Sequence, residues 1–184
     1  VEIFTSESHK LDNIALSLFT LIYPSAFISY ILRLNALNTP ELGVYKQNIV
    51  LYILIGVWVF DSGSYFAGRF WGRHPFFPEI SPKKTVEGFF GGFILLVAAG
   101  ALYFGIREPL LLGHAVTIAV VVGFAGQAGD LSESIIKRDL KTKDSSDLIP
   151  GHGGILDRFD SLIFAGPAVY LYLSILVMWE ELFR

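Results

Sequence analysis

The sequence predicts an all-α fold, a polytopic transmembrane helical bundle with about five membrane-spanning helices. Three observations lead there: the composition, five long apolar runs, and the placement of the basic residues. Of the 184 residues, 53% are hydrophobic and only 17% are charged, against roughly a quarter in soluble domains. The mean hydropathy is +0.54. Sixteen Phe, eight Tyr and three Trp suit lipid-facing helices with aromatic anchors at the interfaces.

The apolar runs cover about Asn13–Leu32, Asn48–Phe70, Val86–Phe104, Leu110–Ala128 and Ser161–Trp179. Each is near the roughly 20 residues needed to cross a bilayer. They are too long and too continuous for barrel strands, so helices that satisfy their own backbone are expected. Nine of the 14 basic residues fall in two loops, after the second run (Arg69, Arg73, Lys83, Lys84) and after the fourth (Lys137, Arg138, Lys141, Lys143, Arg158). The positive-inside rule makes both loops cytoplasmic. Residues 1–60 read as membrane anchor, and the unusual residues gather in 61–184, chiefly in loops 69–85 and 129–160.

The absence of Cys excludes disulfides and thiolate metal sites. A net charge of −3 without a basic arm points away from a nucleic-acid partner. The first residue is Val and Met178 is the sole Met, so a piece, a processed form or the ordered part of a longer protein is expected. No signal-peptide pattern opens the chain.

The strongest constellation follows the fourth apolar run, from GQAGDLSES (Gly126–Ser134) through Ser134–Asp160, SIIKRDLKTKDSSDLIPGHGGILDRFD. If the helix continues, Asp130, Ser134, Lys137 and Lys141 share one face. The turn-rich Pro150–Gly154 stretch would let backbone N–H groups approach an anion. Asp157 and Asp160, three apart, project from one side of the fifth helix. Carboxylates from different helices beside several cations suit a metal–polyphosphate site. Mg²⁺ takes hard oxygen ligands and bridges carboxylates to phosphates, while Lys and Arg neutralise the remaining oxygens. The plainer alternative is membrane anchoring by helix-end charges, which weighs most for Lys141 and Lys143 and least for Asp130, since a charge so close to an apolar run is costly.

A second group is Ser81-Pro82-Lys83-Lys84-Thr85, before Glu87-Gly88. Ser, Thr and Pro favour a helix start, whose free N–H groups bind anions. A third is Asp61, whose helix face also carries Ser64, Tyr65 and Gly68. An unpaired Asp in lipid is expensive, so a partner such as Arg69, another cation or a metal is expected. Gly123, Ala125, Gly126, Ala128 and Gly129 read as a close-packing surface.

These residues resemble the signature of the phosphatidate cytidylyltransferase (CDP-diacylglycerol synthase) family. The pattern is met by Ser134, Lys137-Arg138, Lys143-Asp144, Ser146, Pro150, His152-Gly153-Gly154, Asp157-Arg158 and Asp160. SPKKT and GDLSES resemble two other recurring pieces, and the likeness covers roughly residues 60–160. The resemblance implies transfer of the cytidylyl group of CTP to phosphatidic acid, giving CDP-diacylglycerol and pyrophosphate. It implies Mg²⁺ with K⁺ as a second ion, a homodimer, and a bacterial inner-membrane protein whose active site faces the cytoplasm.

On that reading Asp130, Asp157 and Asp160 hold metal, and together with Lys137 they are catalytic. Ser81, Lys83, Lys84, Thr85, Arg138, Lys143, Asp144, His152, Gly153, Gly154, Arg158 and Asp61 bind substrate. The attacking phosphate oxygen is already anionic, so the protein's task is positioning and charge neutralisation. A CTP-dependent lipid kinase or an isoprenoid-lipid cytidylyltransferase shares this chemistry in part. An ion transporter also uses intramembrane charges, but no repeated halves are visible.

Overall fold

The computed structural model describes residues 10–36, 49–107, 112–142, 145, 154 and 156–182. Lys143, Asp144, His152 and Gly153 lie outside the described residues. Five helices and one hairpin follow in the order α1 (Lys10–Ala36), α2 (Ile49–Trp71), β1 (Pro75–Phe77), β2 (Ser81–Thr85), α3 (Val86–Arg107), α4 (Leu112–Asp139) and α5 (Leu156–Leu182). Among the described residues all five helices are long and apolar enough to cross a membrane. The chain is a polytopic membrane protein with a helical bundle fold.

The helices pack mainly as α2 on α3 and α4 on α5, with α3 against α4 and α1 against α5. Ile53, Val57 and Phe60 of α2, Leu96 of α3, Ile118 and Val122 of α4, and Leu162 and Val169 of α5 form the buried centre. The α2–α3 contact is a glycine seam. A Cβ at Gly92 would lie 2.7 Å from the Phe60 carbonyl oxygen, and one at Gly63 would lie 3.1 Å from Gly92 Cα. A Cβ at Gly88 would lie 2.7 Å from the Ser64 carbonyl. Backbones this close leave no room for side chains, which is how helices associate where the solvent is itself apolar.

Three local outcomes bear on the sequence reading. First, the helices outrun the apolar runs: α4 continues past Ala128 to Asp139 and α5 starts at Leu156, as the shared face of Asp130 and Lys137 and the placing of Asp157 and Asp160 on the fifth helix require. Asp130, Glu133, Lys137 and Asp157 are therefore helical. Second, Lys141 does not continue the α4 face. It adopts φ 54°, and Lys141 N–H bonds Arg138 O (3.0 Å) while Thr142 N–H bonds Lys137 O (2.9 Å). That pair of bonds is the Schellman stop, with Lys141 in the position glycine usually takes. Third, Ser81-Pro82 do not open a helix but lie in β2, which pairs antiparallel with β1. Thr85 is the cap, its hydroxyl accepting the Gly88 N–H at 3.1 Å.

Candidate active site

Both basic loops meet at one end of the bundle. The Lys84 ammonium on β2 pairs with Asp130 Oδ2 on α4. Arg138 Nε, at the end of α4, donates to the Ile80 carbonyl at 3.2 Å. Lys137 Nζ pairs with Asp157 Oδ1 on α5 at 2.7 Å and lies 3.4 Å from Glu133 Oε2. These cross-links bring together elements separated by up to 58 residues in sequence.

Between α2, the hairpin, α3 and α4 lies a cavity of about 440 Å³. Asp61, Ser64, Tyr65 and Gly68 line it, so the predicted polar face of α2 forms one wall. Lys83, Lys84 and Thr85 form the facing wall, with Arg69, Gln127 and Asp130 completing the polar lining. Phe76, Phe89 and Gly88 add apolar surface. Asp61 is exposed into this space, and among the described residues it makes no ion pair with Arg69.

The second half of the site lies on α4 and α5. Asp157 is 11% exposed, and both of its carboxylate oxygens are engaged. Besides Lys137, its Oδ2 accepts Ser145 N–H (2.9 Å), Ser145 Oγ–H (2.8 Å) and Gly154 N–H (2.7 Å). Gly154 thus acts through its N–H, holding the loop to the start of α5. Ser134 Oγ donates to Asp130 Oδ1 at 3.3 Å. Asp160 Oδ1 accepts the Ser161 N–H at 2.5 Å. Gly129 lets the two helices meet here, since a Cβ there would stand 3.2 Å from Ser161 Cα. Arg158 is exposed, and so is Ser145. Ser81 lies on β2, beside the cavity wall but outside its lining.

Three residues at the site carry no role in the sequence reading. Glu133 is 1% exposed; its Oε2 has the Lys137 ammonium 3.4 Å away as an ion-pair partner, but among the described residues neither oxygen accepts a well-aligned hydrogen bond. Gln127 is 9% exposed, with its Nε2 unpartnered. Glu87 anchors the hairpin. Gln127, Asp130, Glu133 and Lys137 follow one another at steps of three or four, the spacing of a single helix face. That face shares Asp130 and Lys137 with the one drawn from the sequence and adds Gln127 and Glu133 to it.

The donor set fits Mg²⁺ by chemistry. All candidates are hard carboxylate oxygens, and carboxylates outnumber ammonium groups around Lys84 and Lys137. A divalent cation would offset that surplus before a polyphosphate enters. Among the described residues no group of three His, Asp or Glu is arranged to hold a metal. Asp130, Asp157 and Asp160 thus do not converge as one three-carboxylate group, because Lys84 and Lys137 engage the first two. One or two protein carboxylates suffice for Mg²⁺, which keeps water and substrate phosphate as its other ligands.

The chain is 37% identical over 168 residues to the phosphatidate cytidylyltransferase of Aquifex aeolicus (strain VF5), covering 91% of this chain and 60% of that protein. It is 33% identical over 174 residues to the phosphatidate cytidylyltransferase of Bacillus subtilis (strain 168), covering 94% and 63%. With the phosphatidate cytidylyltransferase of Staphylococcus aureus (strain COL) the identity is 43% over 129 residues, covering 67% and 48%. The chain therefore spans about half to two thirds of the length of these curated relatives. The family model described as "Cytidylyltransferase family" matches residues 1–176, nearly the whole sequence, and with the bundle and its charged end in place the chain belongs to the cytidylyltransferase family.

Proposed function

We propose that the protein transfers the cytidylyl group of CTP to phosphatidic acid, forming CDP-diacylglycerol and releasing pyrophosphate. The observation that carries this reading is the cavity at the charged end of the bundle, lined by Lys83 and Lys84 opposite Asp61 and beside Asp130. Its chemistry matches the names of the curated relatives, which act on phosphatidate.

In the reaction, a phosphate oxygen of phosphatidic acid bonds to the α-phosphorus of CTP. The bond from that phosphorus to the bridging oxygen of the β-phosphate breaks, and pyrophosphate departs with the electron pair. No proton need be removed from the nucleophile. The residues' work is to orient two anions against each other and to lower the charge between them. Lys83 and Lys84 bind phosphate oxygens as flexible point charges. Lys137, held between Glu133 and Asp157, supports charge on the α4–α5 side. Asp130 and Asp157, with Asp160 beside them, would hold Mg²⁺, which would supply charge neutralisation at the phosphates. K⁺ as a second cation, assembly as a homodimer, and a bacterial inner-membrane setting with the site facing the cytoplasm belong to the same proposal.

The test is pyrophosphate release by the full-length protein in detergent with CTP, phosphatidic acid and Mg²⁺, alongside a Lys83→Ala/Lys84→Ala variant. Lipid-dependent pyrophosphate is expected, with the KM for CTP raised by roughly tenfold or more in the variant. CDP in place of pyrophosphate would identify a lipid kinase and overturn the proposal.

A further inference from the structure

The cationic hairpin cannot hold its own position. Its strands are three and five residues long, and their register breaks between Pro75 and Phe77. An isolated two-stranded hairpin is marginal in water even when regular. Besides the Lys84–Asp130 ion pair, two charged side chains on separate helices fix it, each bonded to backbone at the hairpin and not to its lysines.

At the root, the Glu87 carboxylate on α3 gathers the incoming chain. Its Oε2 accepts the N–H groups of Arg73 (3.0 Å) and His74 (3.2 Å), and its Oε1 lies 2.5 Å from His74 Nδ1. The Val86 N–H closes the same corner on the His74 carbonyl at 2.9 Å. At the tip, Arg138 spans two carbonyls, with Nε on Ile80 O (3.2 Å) and Nη1 on Thr142 O (3.3 Å). Neither Glu87 nor Arg138 lines the cavity.

We propose that Glu87 and Arg138 are positioning residues that hold the hairpin so that Lys83 and Lys84 face the bound nucleotide. The inference rests on the reading of the cavity as the CTP site. It also gives Arg138 a different task from direct phosphate binding. Glu87 acts through its oxygens: two N–H donors share one while the other meets the imidazole. Because a glutamine oxygen could keep both N–H bonds while its NH₂ turns to His74 Nδ1, removal of the whole side chain is the informative change. A guanidinium is needed at residue 138 because one lysine ammonium does not reproduce a fork across two carbonyls.

The experiment places Glu87→Ala and Arg138→Lys in the full-length protein, each alone and each combined with Lys83→Ala/Lys84→Ala. KM for CTP and kcat are measured at saturating phosphatidic acid and Mg²⁺, with melting in detergent as the folding control. Each single change is expected to raise KM for CTP about tenfold with a smaller change in kcat, and to add nothing once the two lysines are gone. Arg138→Lys keeps the charge, so a phosphate-binding role would leave KM near normal and overturn the proposal for that residue. An effect that adds fully to the lysine loss would overturn it for either. An unchanged KM in the lysine variant itself would overturn the cavity assignment and the positioning role together, a pattern distinct from the first two. If one variant fails to fold, the other tether alone decides the matter.

Discussion

Asp157→Asn is expected to lower turnover at least ~1,000-fold while the protein stays folded and membrane-inserted. The reason is the number of donors aimed at this one carboxylate. Lys137, Ser145 N–H, Ser145 Oγ–H and Gly154 N–H all converge on its two oxygens. Asn keeps one acceptor oxygen and turns the other into a donor. Whichever way the amide lies, its NH₂ faces either the ammonium of Lys137 or the three donors of the loop. The variant thus loses a carboxylate proposed to hold Mg²⁺ and unfastens the loop from α5. The body of α5 packs through Leu162, Ala165 and Val169, well away from this end, so the fold persists. Pyrophosphate release and thermal melting in detergent check the two halves of the prediction. Activity within tenfold of the parent would remove Asp157 from the site.

Gly129→Ala is expected to reduce kcat about 100-fold, since sub-ångström to 1 Å misplacement of reacting groups is that costly. A Cβ at Gly129 would meet the Asp160 carbonyl and stand 3.2 Å from Asp160 C and Ser161 Cα. These are backbone atoms, which cannot turn aside as a side-chain end can, so α4 and α5 must separate where Asp130 and Asp160 sit. Overpacking of this kind costs about 1–3 kcal/mol, so a lowered melting temperature should accompany the lost activity. Gly113→Ala on the same helix is the control, because nothing lies within 4 Å of a Cβ there. Equal effects at both glycines would show helix propensity at work and not the α4–α5 approach.

Much of this molecule was legible in the sequence. Apolar runs of membrane-spanning length carry their own signal, and all five proved helical. The polar face of Asp61, Ser64, Tyr65 and Gly68 followed from helical spacing and does line one cavity. Hydropathy misplaced the ends of α4 and α5, because the charged turns that belong to the site look like loop on that scale. The hairpin was missed since PFF and SPKKT show no alternation, and Pro82 with two lysines argues against a strand. Its shape is imposed from outside by Glu87, Arg138 and Asp130. A pairing such as Lys84 with Asp130, 46 positions apart, has no trace in local pattern. Glu87 was given no role because its partners, the N–H groups of Arg73 and His74, lie 14 and 13 positions back along the chain.

The glycine seam distributes stiffness unevenly through the molecule. Where α2 and α3 meet along Gly63, Gly88, Gly91 and Gly92, backbone lies against backbone and against the side chains of Ser64, Ala67 and Leu95, with little room to slide, so the two helices deform together. The cavity wall they supply is rigid. The opposite wall is fastened by hydrogen bonds and ion pairs to Glu87, Arg138 and Asp130, contacts that water can replace. Compliance is thus concentrated in residues 75–85, on the water side. Exchange of a bulky anion can then proceed by yielding of that short strap, without any shift in how the bundle sits among its lipids.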